Sequence, residues 1–248
     1  MDKYGLFGFP LGHSFSRKFF SDKFSRENID AEYLNFEIPS IDDYLSTLDA
    51  NPTLRGHNVT IPYKQQIIPF LDELTDEARA IGAVNVVRVS MLDGIRYLKG
   101  YNSDVIGFVN SLKPLLRPCH RKALILGTGG ASKAVKYGLE QKLCMQTLYV
   151  SRTPKSGMIT YDDVTAELIH EYSVIVNCSP VGMYPHVDEC PPLPYDSMDG
   201  TTLLFDLVYN PEETLFMKRG AEHGAVVKNG LEMLVLQAMA SWEFWNEK

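Results

Sequence analysis

An apolar run that ends in glycines, Lys122-Ala-Leu-Ile-Leu-Gly-Thr-Gly-Gly-Ala-Ser-Lys133, constrains this chain more than any other stretch. Apolar residues in succession predict a buried strand, and the residues from Ala131 onward are helix-compatible. Gly127, Gly129 and Gly130 between them let the backbone turn tightly and come close to a pyrophosphate, with the free N–H groups of the next helix aimed at it. Glycines after a strand also build plain turns, so the loop by itself leaves both readings open. The segment that closes the second strand decides between them.

The helix predicted over residues 131–141 leads to a strand over residues 146–150, which ends in Ser151-Arg152-Thr153. In dinucleotide-binding sheets the residue closing the second strand faces the adenosine ribose. A carboxylate there accepts from a free 2′-hydroxyl, whereas arginine and hydroxyls accommodate a 2′-phosphate. No carboxylate stands here, which points to NADP rather than NAD. Residues 174–179, 202–208 and 225–228 read as three further strands and complete a doubly wound sheet. Asn229-Gly230 then opens an amphipathic segment over residues 231–245 that includes Gln237; its stripe reads as core, and the chain returns through it to the first domain.

The front half alternates strand and helix as well. Residues 4–9 form a short aromatic strand running into a loop with Ser14 and Ser16. Ser16 suits a helix N-cap, and both hydroxyls are also spaced to meet one anion beside a helix N-terminus. Strands over 31–38 and 54–61 flank a helix over 41–48, with Pro62 at a first helical position. Such β-α-β-α-β alternation predicts a mainly parallel sheet whose ligand crevice lies beyond the carboxyl ends of its strands, where Asn58, Thr60 and Lys64 sit. An acidic helix is expected over 69–80 and a strand over 82–89, with Asn85 in its middle. A buried amide without a partner costs about 1–3 kcal/mol, so Asn85 either ties down a loop or faces a ligand. Residues 91–95 read as a hairpin turn. Asp104 suits the N-terminus of a helix over 105–116, which Pro114 and Pro118 close as the bridge between two domains.

Composition narrows the class. At 248 residues with 45% hydrophobic content the chain can bury two modest cores. A net charge of -7 and no basic run argue against nucleic acid as a partner. The four cysteines lack CxxC spacing and the six histidines form no ligand pattern, so neither disulfides nor a metal site is expected. The N-terminus lacks a signal-like core and no window approaches about 18 apolar residues. A cytoplasmic protein acting on a small molecule, with no membrane partner, is the expectation.

Taken together, these stretches resemble the shikimate dehydrogenase family along essentially the whole chain. The residues that carry the likeness are Gly8-Phe-Pro-Leu-Gly-His-Ser-Phe-Ser16, Asn58-Val-Thr-Ile-Pro-Tyr-Lys64, Gly82-Ala-Val-Asn85, Asn102-Ser-Asp104, Gly127-Thr-Gly-Gly-Ala131, Ser151-Arg-Thr153, Asn177-Cys-Ser-Pro-Val-Gly-Met183, Asp206-Leu-Val-Tyr209, and Asn229-Gly230 with Gln237. The resemblance implies an α/β fold of two domains. One is a βαβ substrate domain with a mainly parallel sheet, residues 1–103 plus 231–248; the other is a Rossmann-like, doubly wound NADP-binding domain, residues 104–230. It implies NADPH-dependent, reversible reduction of 3-dehydroshikimate to shikimate, on the way to chorismate and the aromatic amino acids, by a monomer or homodimer. Lys64 and Asp104 match the family's catalytic pair. On chemical grounds Lys64 would be the acid-base group, with Asp104 holding the ammonium and the substrate hydroxyl in line. Ser14, Ser16, Thr60, Asn85, Tyr209 and Gln237 correspond to substrate contacts. Gly127, Thr128, Gly129, Gly130 and Ala131 correspond to the pyrophosphate loop; Ser151, Arg152, Thr153 and Ser156 to the 2′-phosphate region; Leu207 and Gly230 to the nicotinamide end.

The departures from the family pattern are specific. Ser151 stands where Asn is usual, and Ser156 where a second basic residue is common, with Lys155 one place earlier. Arg17 follows the second serine in place of a proline, and Glu232 replaces a small residue at the start of the last helix. Rival readings are a quinate/shikimate dehydrogenase with relaxed substrate or NAD use, and a nucleotide sensor that kept the fold without the reaction.

Overall fold

Alternation along the first strand sets the layers of the N-terminal sheet. In β1 (Asp2–Gly8), Tyr4 and Leu6 face an aromatic cluster made with Phe20 and Phe24 of α1 (Phe15–Glu27), Tyr33 of β2 (Ala31–Glu37) and Trp245. Phe7 points the other way, into a core with Tyr44 and Leu48 of α2 (Tyr44–Asp49), Val59 of β3 (Leu54–Val59), Ile67 and Val84. Both faces of the sheet are therefore covered. The chain continues through β4 (Glu73–Leu74), α3 (Asp76–Ile81), β5 (Val86–Leu92) and β6 (Ile95–Tyr101). Strand order is β2-β1-β3-β5-β6-β4, with β1 parallel to β2 and β3, β4 parallel to β6, and β5 antiparallel to β3 and β6. Leu6 is in register with Asn35 on one side and Asn58 on the other, so β1, β2 and β3 end along one edge of the sheet.

This computed structural model describes residues 1–12 and 15–247. They divide into two compact units, Met1–Ser103 with the segment from Ala238 onward, and Asp104–Gln237; the division falls inside the last helix.

The second unit is a doubly wound sheet. It comprises α4 (Asp104–Leu112), β7 (Lys122–Leu126), α5 (Gly130–Tyr137), β8 (Gln146–Val150), β9 (Met158–Ile159), α6 (Ala166–Glu171), β10 (Val174–Asn177), β11 (Leu203–Asp206), α7 (Leu215–Glu222), β12 (Val226–Lys228) and the first half of α8 (Leu231–Trp245). All its strands are parallel, in the order β12-β11-β10-β7-β8-β9. Read from the β9 end this is the 3-2-1-4-5-6 order of dinucleotide-binding sheets, with its switch point between β7 and β10. Ala123, Ile125, Val174 and Val176 pack with Phe108 of α4 and Val135 of α5, while Leu124, Leu126 and Ile175 pack with Ile169 of α6 and Phe216 of α7. Burial on both faces explains why these strands are continuous apolar runs.

Three local expectations change. The acidic helix expected over 69–80 is a 3-10 turn (Ile68–Phe70), the two-residue β4 and then α3, whose cap Thr75 accepts a hydrogen bond from the Ala78 N–H. The backbone is claimed by the sheet instead, with the Asp72 N–H donating to Leu98 O (2.9 Å) and the Thr75 N–H to Gly100 O (3.1 Å), while Leu71 and Leu74 pack against the first core. After β3, Pro62 opens a series of turns rather than a helix, with the Tyr63 N–H donating to Thr60 O (2.9 Å) and the Ile67 N–H to Tyr63 O (2.9 Å). Asn85 lies just before β5 instead of in mid-strand. Among the described residues no helix is long and apolar enough to cross a membrane.

Candidate active site

In the first unit the expected substrate residues gather where β1, β2 and β3 end. The Thr60 N–H donates to Phe7 O (2.9 Å), which locks the end of β3 to β1. Lys64 is half-buried, and its carbonyl accepts from the Val84 N–H (2.7 Å). Next to it the buried Tyr63 hydroxyl donates to Ile38 O (2.6 Å), so the turn carrying Lys64 is pinned on both sides. Ser16 sits in the first turn of α1, half-buried and hydrogen-bonded to the Tyr33 phenol. Ser14 lies outside the described residues. Asn85 is buried and ties down a neighbouring loop: its Oδ1 accepts from the Ser103 N–H (2.7 Å) and its Nδ2 donates to Ser103 Oγ (3.0 Å). Burial holds the His57 imidazole down at about 3, so it is neutral; Nδ1 faces the acceptor Asn58 O (3.3 Å), which leaves Nε2 to accept from the Tyr44 hydroxyl (2.9 Å).

In the second unit Asp104 is the first residue of α4 and is buried, a position where the unpaired N–H groups and dipole of a helix favour a carboxylate. Gly127, at φ 95°, turns the chain out of β7, and a Cβ there would stand 3.3 Å from Ser179 N on the neighbouring β10 loop. Thr128 and Gly129 are exposed, and Gly129 caps α5 with no side-chain hydrogen bond and no acidic residue in the first turn. A Cβ on Gly129 or Gly130 would meet nothing within 4 Å. Open space over an uncapped helix N-terminus at the switch point fits the pyrophosphate of a dinucleotide. Ala131 is half-buried in that first turn.

At the end of β8, Ser151 is buried and its hydroxyl accepts from the Thr153 N–H (3.2 Å). Its side chain shapes the loop that presents Arg152, Thr153, Lys155 and Ser156, all exposed and without a carboxylate among them. Leu207 and the buried Gly230 abut, and the Gly230 N–H donates to Val208 O (3.2 Å). Tyr209 is exposed, Gln237 is buried with Nε2 donating to Leu234 O (2.9 Å), and Glu232 forms an ion pair with Lys228 (2.6 Å). Among the described residues no group of three or more His, Cys, Asp or Glu is arranged to hold a metal ion.

One cluster was missed by sequence reasoning. Asn177 and Asp206 are buried and paired across β10 and β11, with Asn177 Nδ2 donating to Asp206 Oδ1 (3.0 Å). The Val208 N–H (3.0 Å) and Thr214 Oγ (2.6 Å) donate to the same carboxylate, while Ser179 Oγ donates to Asn177 Oδ1 (2.7 Å). Two loops at the switch point are thereby held by one carboxylate-amide pair. The signal was legible, since both residues end apolar strands just as Asn85 borders one.

Burial pushes the Asp206 carboxyl up to about 6, against the three hydrogen bonds that favour its ionised form. A carboxyl raised in the folded state stabilises it fully below the unfolded value, and that contribution is lost as pH rises through the folded one. Asp206→Asn keeps the shape and removes the titration. Relative to wild type the variant is expected to gain up to about 3 kcal/mol between about pH 4 and 7. Urea midpoints at four pH values check this; parallel curves for the two proteins would contradict it.

Comparison with known proteins places these features. A family model described as the shikimate dehydrogenase substrate binding domain matches residues 6–87. The NADP(+) shikimate dehydrogenase of Clostridium beijerinckii is 38% identical over 259 residues, covering 100% of this chain and 93% of that protein. The shikimate dehydrogenase structure from Aquifex aeolicus matches with a TM-score of 0.86 at 33% identity, covering 100% and 93% of the two chains. The Thermus thermophilus enzyme, solved with NADP(H) and shikimate, matches with a TM-score of 0.85 at 28% identity, covering 100% and 94%. With likeness of this extent running from end to end, over both sheets and the glycine turn, the chain belongs to the shikimate dehydrogenase family.

Proposed function

We propose that this protein is an NADP-dependent shikimate dehydrogenase, catalysing the reversible reduction of 3-dehydroshikimate to shikimate. The observation that carries the reading is the glycine turn over an uncapped α5 N-terminus, joined to an adenosine-facing loop with Arg152 and no carboxylate. Residues Met1–Ser103 with the end of α8 would form the substrate domain, and Asp104–Gln237 the dinucleotide domain. Gly127, Thr128, Gly129, Gly130 and Ala131 would receive the pyrophosphate through backbone N–H groups. Arg152, with Thr153, Lys155 and Ser156, would receive the 2′-phosphate, and Leu207 with Gly230 would border the nicotinamide.

When bound, NADPH supplies a hydride to the ketone carbon. The oxygen then needs a proton, and the half-buried Lys64 ammonium is the group assigned to deliver it and, in reverse, to take it back. Asp104 would hold that ammonium and the hydroxyl in line. Ser14, Ser16, Thr60, Asn85, Tyr209 and Gln237 would bind the carboxylate and hydroxyls of the substrate. In the cell the reaction would stand on the route to chorismate. Monitoring NADP and NAD reduction at alkaline pH, with shikimate and quinate side by side, tests this. Turnover is expected with shikimate and NADP; a preference for NAD would refute the cofactor assignment, and inactivity with both acids the function.

A further inference from the structure

The buried polar side chains of the first unit form one connected chain. The Tyr33 hydroxyl donates to Asn58 Oδ1 (2.8 Å), and Asn58 Nδ2 donates to Asn85 O (3.2 Å) and Ser241 Oγ (2.9 Å). Ser241 Oγ lies 3.2 Å from Ser103 Oγ, which receives the Asn85 amide. At the other end Ser16 bonds to the Tyr33 oxygen. Members of the chain come from α1, β2, β3, α8 and the residues flanking β5 and β6, so it ties the floor of the substrate site together.

Counting protons gives the chain a direction. Both N–H bonds of Asn58 end on acceptors, so its amide is fixed in orientation and Oδ1 must receive a hydrogen. Tyr33 has a single proton and gives it to Asn58, which leaves its oxygen as an acceptor for Ser16. The phenol itself has no freedom: its ring stacks on Phe20 at 4.8 Å and an interplanar angle of 13°, and Trp245 closes the same cluster. Two residues along the same face of β2, Asn35 Oδ1 is buried with no donor among the described residues. Without the Tyr33 hydroxyl, Asn58 Oδ1 would be left in the same condition, a buried acceptor unmet unless the amide turns.

We propose that Tyr33 is a positioning residue of the substrate pocket, its hydroxyl setting the orientation of the Asn58 amide and of the Ser16 hydroxyl while touching no reacting atom. Ser241 holds the same amide from the α8 side. This rests on the substrate site assigned under Proposed function. The role acts on the bound substrate in its ground state and transition state alike, so it belongs in KM rather than in kcat.

The test uses the full chain with Tyr33→Phe, which keeps the stacked ring and removes one oxygen. The KM for shikimate is expected to rise about 10-fold or more, with kcat and the KM for NADP changed by less than about twofold. An unchanged shikimate KM overturns the proposal. So does a joint change in both KM values and kcat with a lowered thermal midpoint, the pattern of general loosening. Ser241→Ala serves if the first variant does not fold, with a smaller rise of the shikimate KM expected and no change overturning the role. Wild-type protein in the same assay separates the two layers. Wild-type turnover with an unaltered Tyr33→Phe KM refutes the role of Tyr33 alone, whereas a wild type inactive on shikimate refutes the site assignment and the role together.

Discussion

Replacing Lys64 by alanine is expected to lower turnover of shikimate by about 100-fold or more, with modest change in its KM. A loss of that size is about 2.7 kcal/mol of transition-state stabilisation, the scale of removing one acid-base group. The structure makes the substitution a clean one, because the backbone of the turn is held independently of the side chain. The Lys64 carbonyl keeps its bond from the Val84 N–H (2.7 Å), and Tyr63 stays anchored through its hydroxyl to Ile38 O (2.6 Å). The denaturation midpoint of Lys64→Ala should therefore stay close to that of wild type. Lys64→Arg sharpens the test, since guanidinium keeps the charge but does not release its proton in a protein. If Lys64→Arg turns over like wild type, the role is charge alone; if Lys64→Ala does, Lys64 has no part in the reaction.

Gly230→Ala is expected to be the most destabilising single-methyl change at the cofactor end. A Cβ at Gly230 would stand 2.7 Å from Leu207 C and 3.1 Å from Leu207 Cα, and closer still to Leu207 O. All three are backbone atoms at the end of β11, so no side-chain rotation relieves the contact. The Gly230 N–H also donates to Val208 O (3.2 Å), which fixes the same two segments against each other. Overpacking of this kind costs about 1–3 kcal/mol, equivalent to a thermal midpoint lower by roughly 2–12 °C in a chain of this size. Gly129→Ala is the companion. Its Cβ meets nothing within 4 Å and its φ of -70° suits alanine, so stability should hold while the KM for NADP rises about 10-fold, because the methyl occupies the pyrophosphate's approach. A Gly230→Ala midpoint unchanged from wild type would show that Leu207 can retreat. A Gly129→Ala KM unchanged from wild type would move the pyrophosphate elsewhere.

Position decides which parts of this protein could be read in advance. The strands of the second sheet are buried on both faces, so their apolar runs end sharply and the glycine turn stands out after β7. The hairpin of β5 and β6 was legible for a local reason, since Asp93 and Gly94 at its turn both take positive φ, 50° and 80°. The stretch after Pro69 was not. Its pattern favours helix locally, yet its backbone N–H groups at Asp72 and Thr75 pair with Leu98 and Gly100 of β6, far on in the sequence.

The candidate site divides in the same way. The glycines stand out by their place after an apolar strand, whereas Lys64, Asp104 and Ser16 are candidates through the family resemblance, since a lysine, a helix-capping aspartate and a serine each have an ordinary structural use as well. Ser151 could be named, but its use could not: the hydroxyl is spent on the Thr153 N–H inside its own loop. Tyr33 and Ser241 gave less away, since a phenol in an aromatic strand or a serine in an apolar helix stripe reads as filling.

From its order of residues alone this chain determines a doubly wound sheet with a glycine turn, a second αβ layer ahead of it, and a loop after the second strand of that sheet that lacks a carboxylate. Those features are local, written in runs of about a dozen residues whose periodicity and φ requirements no distant contact need supply. Only the tertiary structure decides which buried polar atoms satisfy which. Asn58 meets Tyr33 from 25 residues away and Ser241 from 183 residues away. A hydrogen bond between side chains so far apart leaves no periodic trace; it exists because the packing of α1 and α8 against one sheet face brings donor and acceptor within 3 Å.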